Sequence, residues 1–123
     1  MKILANGMVV LVAALHFGFL ALEMFFWDHP VGRELFSMTP EQSAQTAILA
    51  ANQGLYNGFL GAGLLWSLSA RQRAAMYFFL MCVVVAGVYG GLTAKPTILL
   101  FQAAPAVLAF ALSLAFGGRG RAE

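Results

Sequence analysis

The stretch ILANGMVVLVAALHFGFLALEMFFW, residues 3–27, decides the fold, because it is apolar apart from Asn6, His16 and Glu23. It exceeds the roughly 20 residues that a helix needs to cross the hydrocarbon of a bilayer. An ionisable group in such a span is expensive, about 2.5–3.5 kcal/mol on insertion scales for Asp, Lys or Arg at a helix centre. The Glu23 carboxyl therefore calls for a partner, a task, or both.

Outward from this stretch, three further apolar spans follow at residues 44–70, 74–94 and 97–117. With 61% hydrophobic and 10% charged side chains in 123 residues, the chain falls far below the roughly one-quarter charged residues of a soluble domain. Four spans leave no length for a second domain. The expected fold is all-α, a single four-helix transmembrane bundle covering residues 1–123. The first span is too long for the apolar core of a signal peptide and lacks a small-residue cleavage site near its end, so it is expected to stay in the mature protein.

Charge distribution orients the four spans. Lys2, the Arg71/Arg73 connector and the Arg119/Arg121 tail fall on one face, while only Arg33 and Lys95 fall on the other, and an excess of cations marks the cytoplasmic side. Both termini are expected to be cytoplasmic, in a bacterial inner membrane. The arginines are scattered and lack interleaved aromatics, which argues against nucleic acid as a partner. Cys82 is the only cysteine; it cannot form an intrachain disulfide and reads as an inert core residue.

The outer connector, residues 28–43, ends at Thr39-Pro40-Glu41-Gln42, where a capping threonine, a proline at the first helical position and a glutamine at the third predict a helix starting at Pro40. Residues 31–36, VGRELF, suit a short segment lying on the outer interface. The other turns, Arg71-Gln72-Arg73 and Lys95-Pro96, are short, so sequential helices should be antiparallel neighbours. Gly54-x-x-x-Gly58-x-x-x-Ala62 and Gly87-x-x-x-Gly91 let helix backbones approach closely. They point first to packing within the chain, and then to a possible homodimer.

On helical wheels of about 100° per residue each span carries a polar stripe. His16, Glu23 and Trp27 share one face of the first. Asn52, Gln53, Tyr56 and Asn57 cluster on the second, opposite its glycines, so that helix should be buried on two faces. Cys82, Tyr89 and Thr93 line up on the third, and Gln102 and Ser113 on the fourth. A rise of about 1.5 Å per residue puts His16, Tyr56 and Asn57 near the midplane, Asn52, Gln53, Tyr89 and Gln102 about 6–8 Å outward, and Glu23 and Thr93 about 12 Å outward. Unpaired polar groups in hydrocarbon cost several kcal/mol each. The expectation is an outward-open polar pocket, sealed inward by apolar side chains.

In that pocket Glu23 and His16 are the candidate catalytic pair, since two titratable groups at a buried site equip it for proton transfer. Asn52, Gln53, Tyr56, Asn57, Tyr89, Gln102 and Trp27 are the candidate ligand contacts, for a small or lipid-like molecule. Proton-coupled export is an alternative, weakened by the apolar inner half; an accessory or assembly subunit is another. His16, Glu23 and His29 do not supply the three close ligands of a catalytic zinc site, and no phosphate loop, dinucleotide fingerprint or nucleophile elbow is present. Neither a metal nor a cofactor is expected.

His16 followed by Glu23-Met24-Phe25-Phe26-Trp27, the run from Leu49 through Asn52-Gln53-Gly54-Leu55-Tyr56-Asn57-Gly58 to Leu60, and Gly90-Gly91-Leu92-Thr93 with Gln102 and Pro105 together resemble domain-of-unknown-function family 1304, small bacterial membrane proteins. The resemblance spans nearly the whole chain, with Gly61 standing where alanine is usual. It implies a four-span inner-membrane protein and implies no activity.

Overall fold

The computed structural model describes residues 1–117 and is all-helical, with no strand among those residues. Arg119 and Arg121 of the expected basic tail lie outside the described residues. Helix α1 is Lys2–Phe25, α2 is Pro30–Phe36, α3 is Pro40–Ser69 and α4 is Arg73–Thr93. A π-helical segment, Leu99–Ala103, leads directly into α5, Ala104–Phe116.

The starts of α2 and α3 are written in the local sequence. Thr39 accepts a hydrogen bond from the Gln42 main-chain N–H (3.2 Å), and the Gln42 side chain accepts one from the Thr39 N–H (2.9 Å). Pro40 begins α3 as expected. His29 caps α2 in a similar way, its Nδ1 accepting from the Val31 N–H, so the 31–36 segment is a two-turn helix. The π segment has a chemical cause: Pro105 lacks an N–H and its ring would clash with the carbonyl four residues earlier, at Phe101. Widening the turn, with the Ala104 N–H donating to the Leu99 carbonyl, relieves the clash.

Helices α1 and α4 each pack against both α3 and α5, and the α1–α3 interface is the most extensive. Small residues make that interface. A Cβ added at Gly54 would meet Met24 Cγ at 2.7 Å and Glu23 Cβ at 3.0 Å, and one at Gly61 would meet the Ala13 carbonyl at 3.1 Å. The stripe turns through Gly61 rather than the expected Ala62, which is exposed. Gly87 and Gly91 pack against Ala103 and Leu99 of the π segment. Both stripes thus serve packing within the chain. The core, Val9, Val12, Ala13, Leu64, Met76, Leu80, Val83, Ala106 and Ala109, fills the half nearest the α3–α4 turn.

Three segments are long and apolar enough to cross a membrane: α1, α4 and the continuous run Leu99–Phe116. Four were expected. Helix α3 has the length, 30 residues, but its polar side chains keep it from standing out by composition. The outer surface is nonetheless apolar, with Ile48 and Leu92 81% and 77% exposed. Contiguous apolar surface of this kind marks a membrane or protein interface.

Candidate functional site

Glu23 projects from α1 where Gly54 of α3 packs against it, and its Oε2 accepts a 2.7 Å hydrogen bond from Asn57 Nδ2. This contact joins two helices through the one carboxyl of the apolar first span. On α1, seven residues before Glu23, His16 is 1% exposed. Its Nδ1 lies 2.8 Å from the Val12 carbonyl, so with Nδ1–H donating, Nε2 carries a lone pair. That Nε2 is buried with no hydrogen-bond partner among the described residues. The ring stands edge-on to Phe19.

Other candidates are placed differently. Asn52, Gln53, Tyr56 and Tyr89 lie on the outside of the single chain, Tyr56 59% and Tyr89 70% exposed. The expectation that α3 is buried on two faces is corrected: among the described residues its glycine face packs against α1, while Asn52, Gln53 and Tyr56 are exposed. The expected outward-open polar pocket is likewise not formed among the described residues, since Asn52, Gln53, Tyr56 and Tyr89 are exposed. What forms is a Glu23–Asn57 pair beside an uncovered row of amides and a phenol. Tyr89 instead flanks an apolar groove on α4 with Phe78, Met81, Cys82 and Val85. Gln102 is half-buried in the π segment, and Thr93 donates to the Tyr89 carbonyl.

Trp27 has a defined place where α1 gives way to the connector. Its Nε1–H donates to Thr46 Oγ1 (2.9 Å) and its ring lies 4.7 Å from that of Phe36, so it ties the end of α1 to α3 and to α2. Beside it, Asp28 Oδ1 accepts from Ser43 Oγ (2.7 Å) and pairs with Arg33 (2.8 Å). Gly32 lets α2 lie against the Phe26 and Trp27 carbonyls. Sequence reasoning missed this clasp; the signal was Asp28 and Ser43 bracketing the connector. No three His, Cys, Asp or Glu side chains among the described residues converge to hold a metal ion.

The model of the family described as protein of unknown function, DUF1304, matches residues 10–114. The chain belongs to this family. It is also 32% identical over 113 residues to the uncharacterized protein YpaA of Lactococcus lactis subsp. lactis (strain IL1403), across 89% of this chain and 95% of that one. No solved structure matches it. The matched residues include Glu23, Asn57 and the whole polar row of α3, so the candidate site lies within the part this DUF1304 member shares with its family.

Proposed function

We propose that the protein is a multi-pass inner-membrane protein, a four-span bundle with both ends cytoplasmic, in which α3 is the fourth span. Its polar row is the reason it differs from the other three. In this reading Glu23, Asn57, Gln53, Asn52 and Tyr56 form a site, open sideways along α3 at membrane depth, for a small or lipid-like molecule with a polar end. The hydrogen bond between Glu23 and Asn57 carries the reading. It holds one carboxylate oxygen in place, leaving the other to accept a hydrogen bond or a proton from a ligand. His16, whose Nε2 has no hydrogen-bond partner among the described residues, is the second proton-handling group, deeper in the chain.

The test is recovery of the occupant. The full chain extracted in mild detergent is analysed by mass spectrometry for co-purifying small amphiphiles, beside Glu23→Ala and Asn57→Ala. One species near one copy per chain, reduced at least tenfold in both variants while helix content is kept, supports the site. Equal recovery from all three proteins refutes it.

Exposure of the α3 row favours a second reading, in which two copies of the chain pair through that face. Amides donate and accept at once, so one row can satisfy its own twofold mate, the self-complementarity that a symmetric dimer needs.

A further inference from the structure

At the end of the molecule formed by the start of α1, the α3–α4 turn and the end of α5, a cavity of about 500 Å³ carries Lys2, Arg71 and Arg73 together with Asn6, Ser67 and Ser113. Its volume falls within the roughly 300–1,000 Å³ of ligand sites. Three cations from two separate segments converge on it, and no carboxylate among the described residues answers them. Glu23, Asp28, Glu34 and Glu41 all sit toward the opposite end, where the ion pair Arg33–Asp28 lies.

Placement of cations on the cytoplasmic side accounts for their being at this end but not for their convergence on a cavity. Three details go further. Arg73 is held in position: its Nη2 donates to the Tyr77 hydroxyl (3.0 Å), which donates to the Ser113 carbonyl (3.0 Å), and the residue lines the cavity. Ser113 is 2% exposed and lines the cavity. Arg71 occupies a left-handed conformation (φ 56°), in the turn where the Gln72 N–H returns to the Ser67 carbonyl. That position ordinarily takes glycine, yet here it presents a cation.

Helix starts add to the field. Neither α1 nor α4, both beginning at this end, has a side-chain cap, whereas α2 and α3, beginning at the other, are capped by His29 and Thr39. Uncapped N–H groups favour an anion. Beside the cavity the surface turns apolar, with Ile3 88% and Trp66 56% exposed next to Lys2 and Ser67. An anion bearing acyl chains fits both features.

We propose that this cavity binds the phosphate headgroup of an anionic phospholipid, its acyl chains lying along the adjoining apolar helix surface. Basic pockets between membrane helices are suited to such headgroups. The proposal rests on the membrane reading; recovery of the chain in a soluble fraction without detergent overturns both.

The test is native mass spectrometry of the full chain in detergent, titrated with phosphatidylglycerol, phosphatidylcholine or inorganic phosphate. One phosphatidylglycerol per chain is expected, at least tenfold tighter than phosphatidylcholine. Arg73→Gln and Lys2→Gln each weaken it roughly fivefold, the effect of one cation near a lipid surface, while Arg33→Gln leaves it unchanged. Arg71→Gly separates binding from folding, since it relieves the left-handed turn: helix content stays, and affinity falls about as far. Equal binding of the two lipids, an equal loss in Arg33→Gln, or displacement of phosphatidylglycerol by equimolar inorganic phosphate overturns the proposal.

Discussion

Glu23 and Asn57 lean toward each other along the α1–α3 interface. The Glu23 Cβ faces Gly54, and Asn57 is three residues further along α3, roughly 4.5 Å down its axis. Helical side chains tilt toward their own N-terminus. Because the two helices run in opposite directions, Glu23 tilts away from the connector while Asn57 tilts toward it. Their tips meet at 2.7 Å.

A double-mutant cycle reads this pairing as an energy. Glu23→Ala, Asn57→Ala and the double variant, unfolded from mixed micelles, should show a coupling of about 1 kcal/mol, within the ~0.6 average and ~1.7 maximum of hydrogen bonds between membrane helices. Additive effects would mean that the two side chains stabilise the interface separately, as independent contacts with their surroundings.

The glycines divide into those that fit only a hydrogen atom and those that do not. A Cβ at Gly87 would lie 2.7 Å from the Ala103 main-chain nitrogen and 2.9 Å from its Cα, and backbone cannot move aside as a side chain can. Gly87→Ala should therefore cost about 1–3 kcal/mol, the range for overpacking. At Gly7 nothing lies within 4 Å, and alanine there should be neutral or stabilise α1 by up to about 1 kcal/mol. Thermal unfolding of the two variants side by side tests the contrast.

The start of α3 depends on its reciprocal cap. Thr39→Ala should cost about 1 kcal/mol, and Thr39→Ser should restore most of it. In the same turn, hydrogen bonds from the Glu41 main-chain N–H and from Thr39 hold the Glu41 carboxyl below its ordinary range. A depressed carboxyl stabilises the folded form above its unfolded pKa and loses that contribution as pH falls through the folded value. Hydrogen exchange at Gln42 and Ser43 should accelerate, relative to the intrinsic rate, on acidification below the ordinary carboxylate range, and less so in Glu41→Gln.

Much of the architecture was legible because it follows from period and punctuation: the long apolar runs, the Thr39–Gln42 cap, the glycine stripes. The π segment was not, since a span drawn over residues 97–117 by apolarity alone runs through Pro105 without showing how the preceding turn makes room for its ring. Depth alone separated two side chains that touch. Ranking residues by Cα height put Glu23 and Asn57 in separate layers, because the lean of each side chain depends on which helix it faces and in what direction. The wheel also grouped Asn52, Gln53 and Tyr56 correctly on one face of α3, but a wheel does not say whether a neighbouring helix covers that face.

Whether a second copy covers it is open to a direct measurement. Gln53 and Tyr56 are exposed on the polar face of α3, whereas Leu92 is exposed on α4 and 77% accessible. With Cys82 replaced by alanine, Gln53→Cys in native membranes should give a disulfide-linked dimer on mild oxidation if two chains pair through the α3 row, and Leu92→Cys should not. Such pairing is favoured because each uncovered amide in hydrocarbon costs several kcal/mol, a cost that a twofold mate removes for every residue of the row. Equal crosslinking at both positions indicates random collision. No crosslink at Gln53, with the Glu23→Ala variant losing its co-purified amphiphile, leaves the bound molecule as the group that satisfies the row.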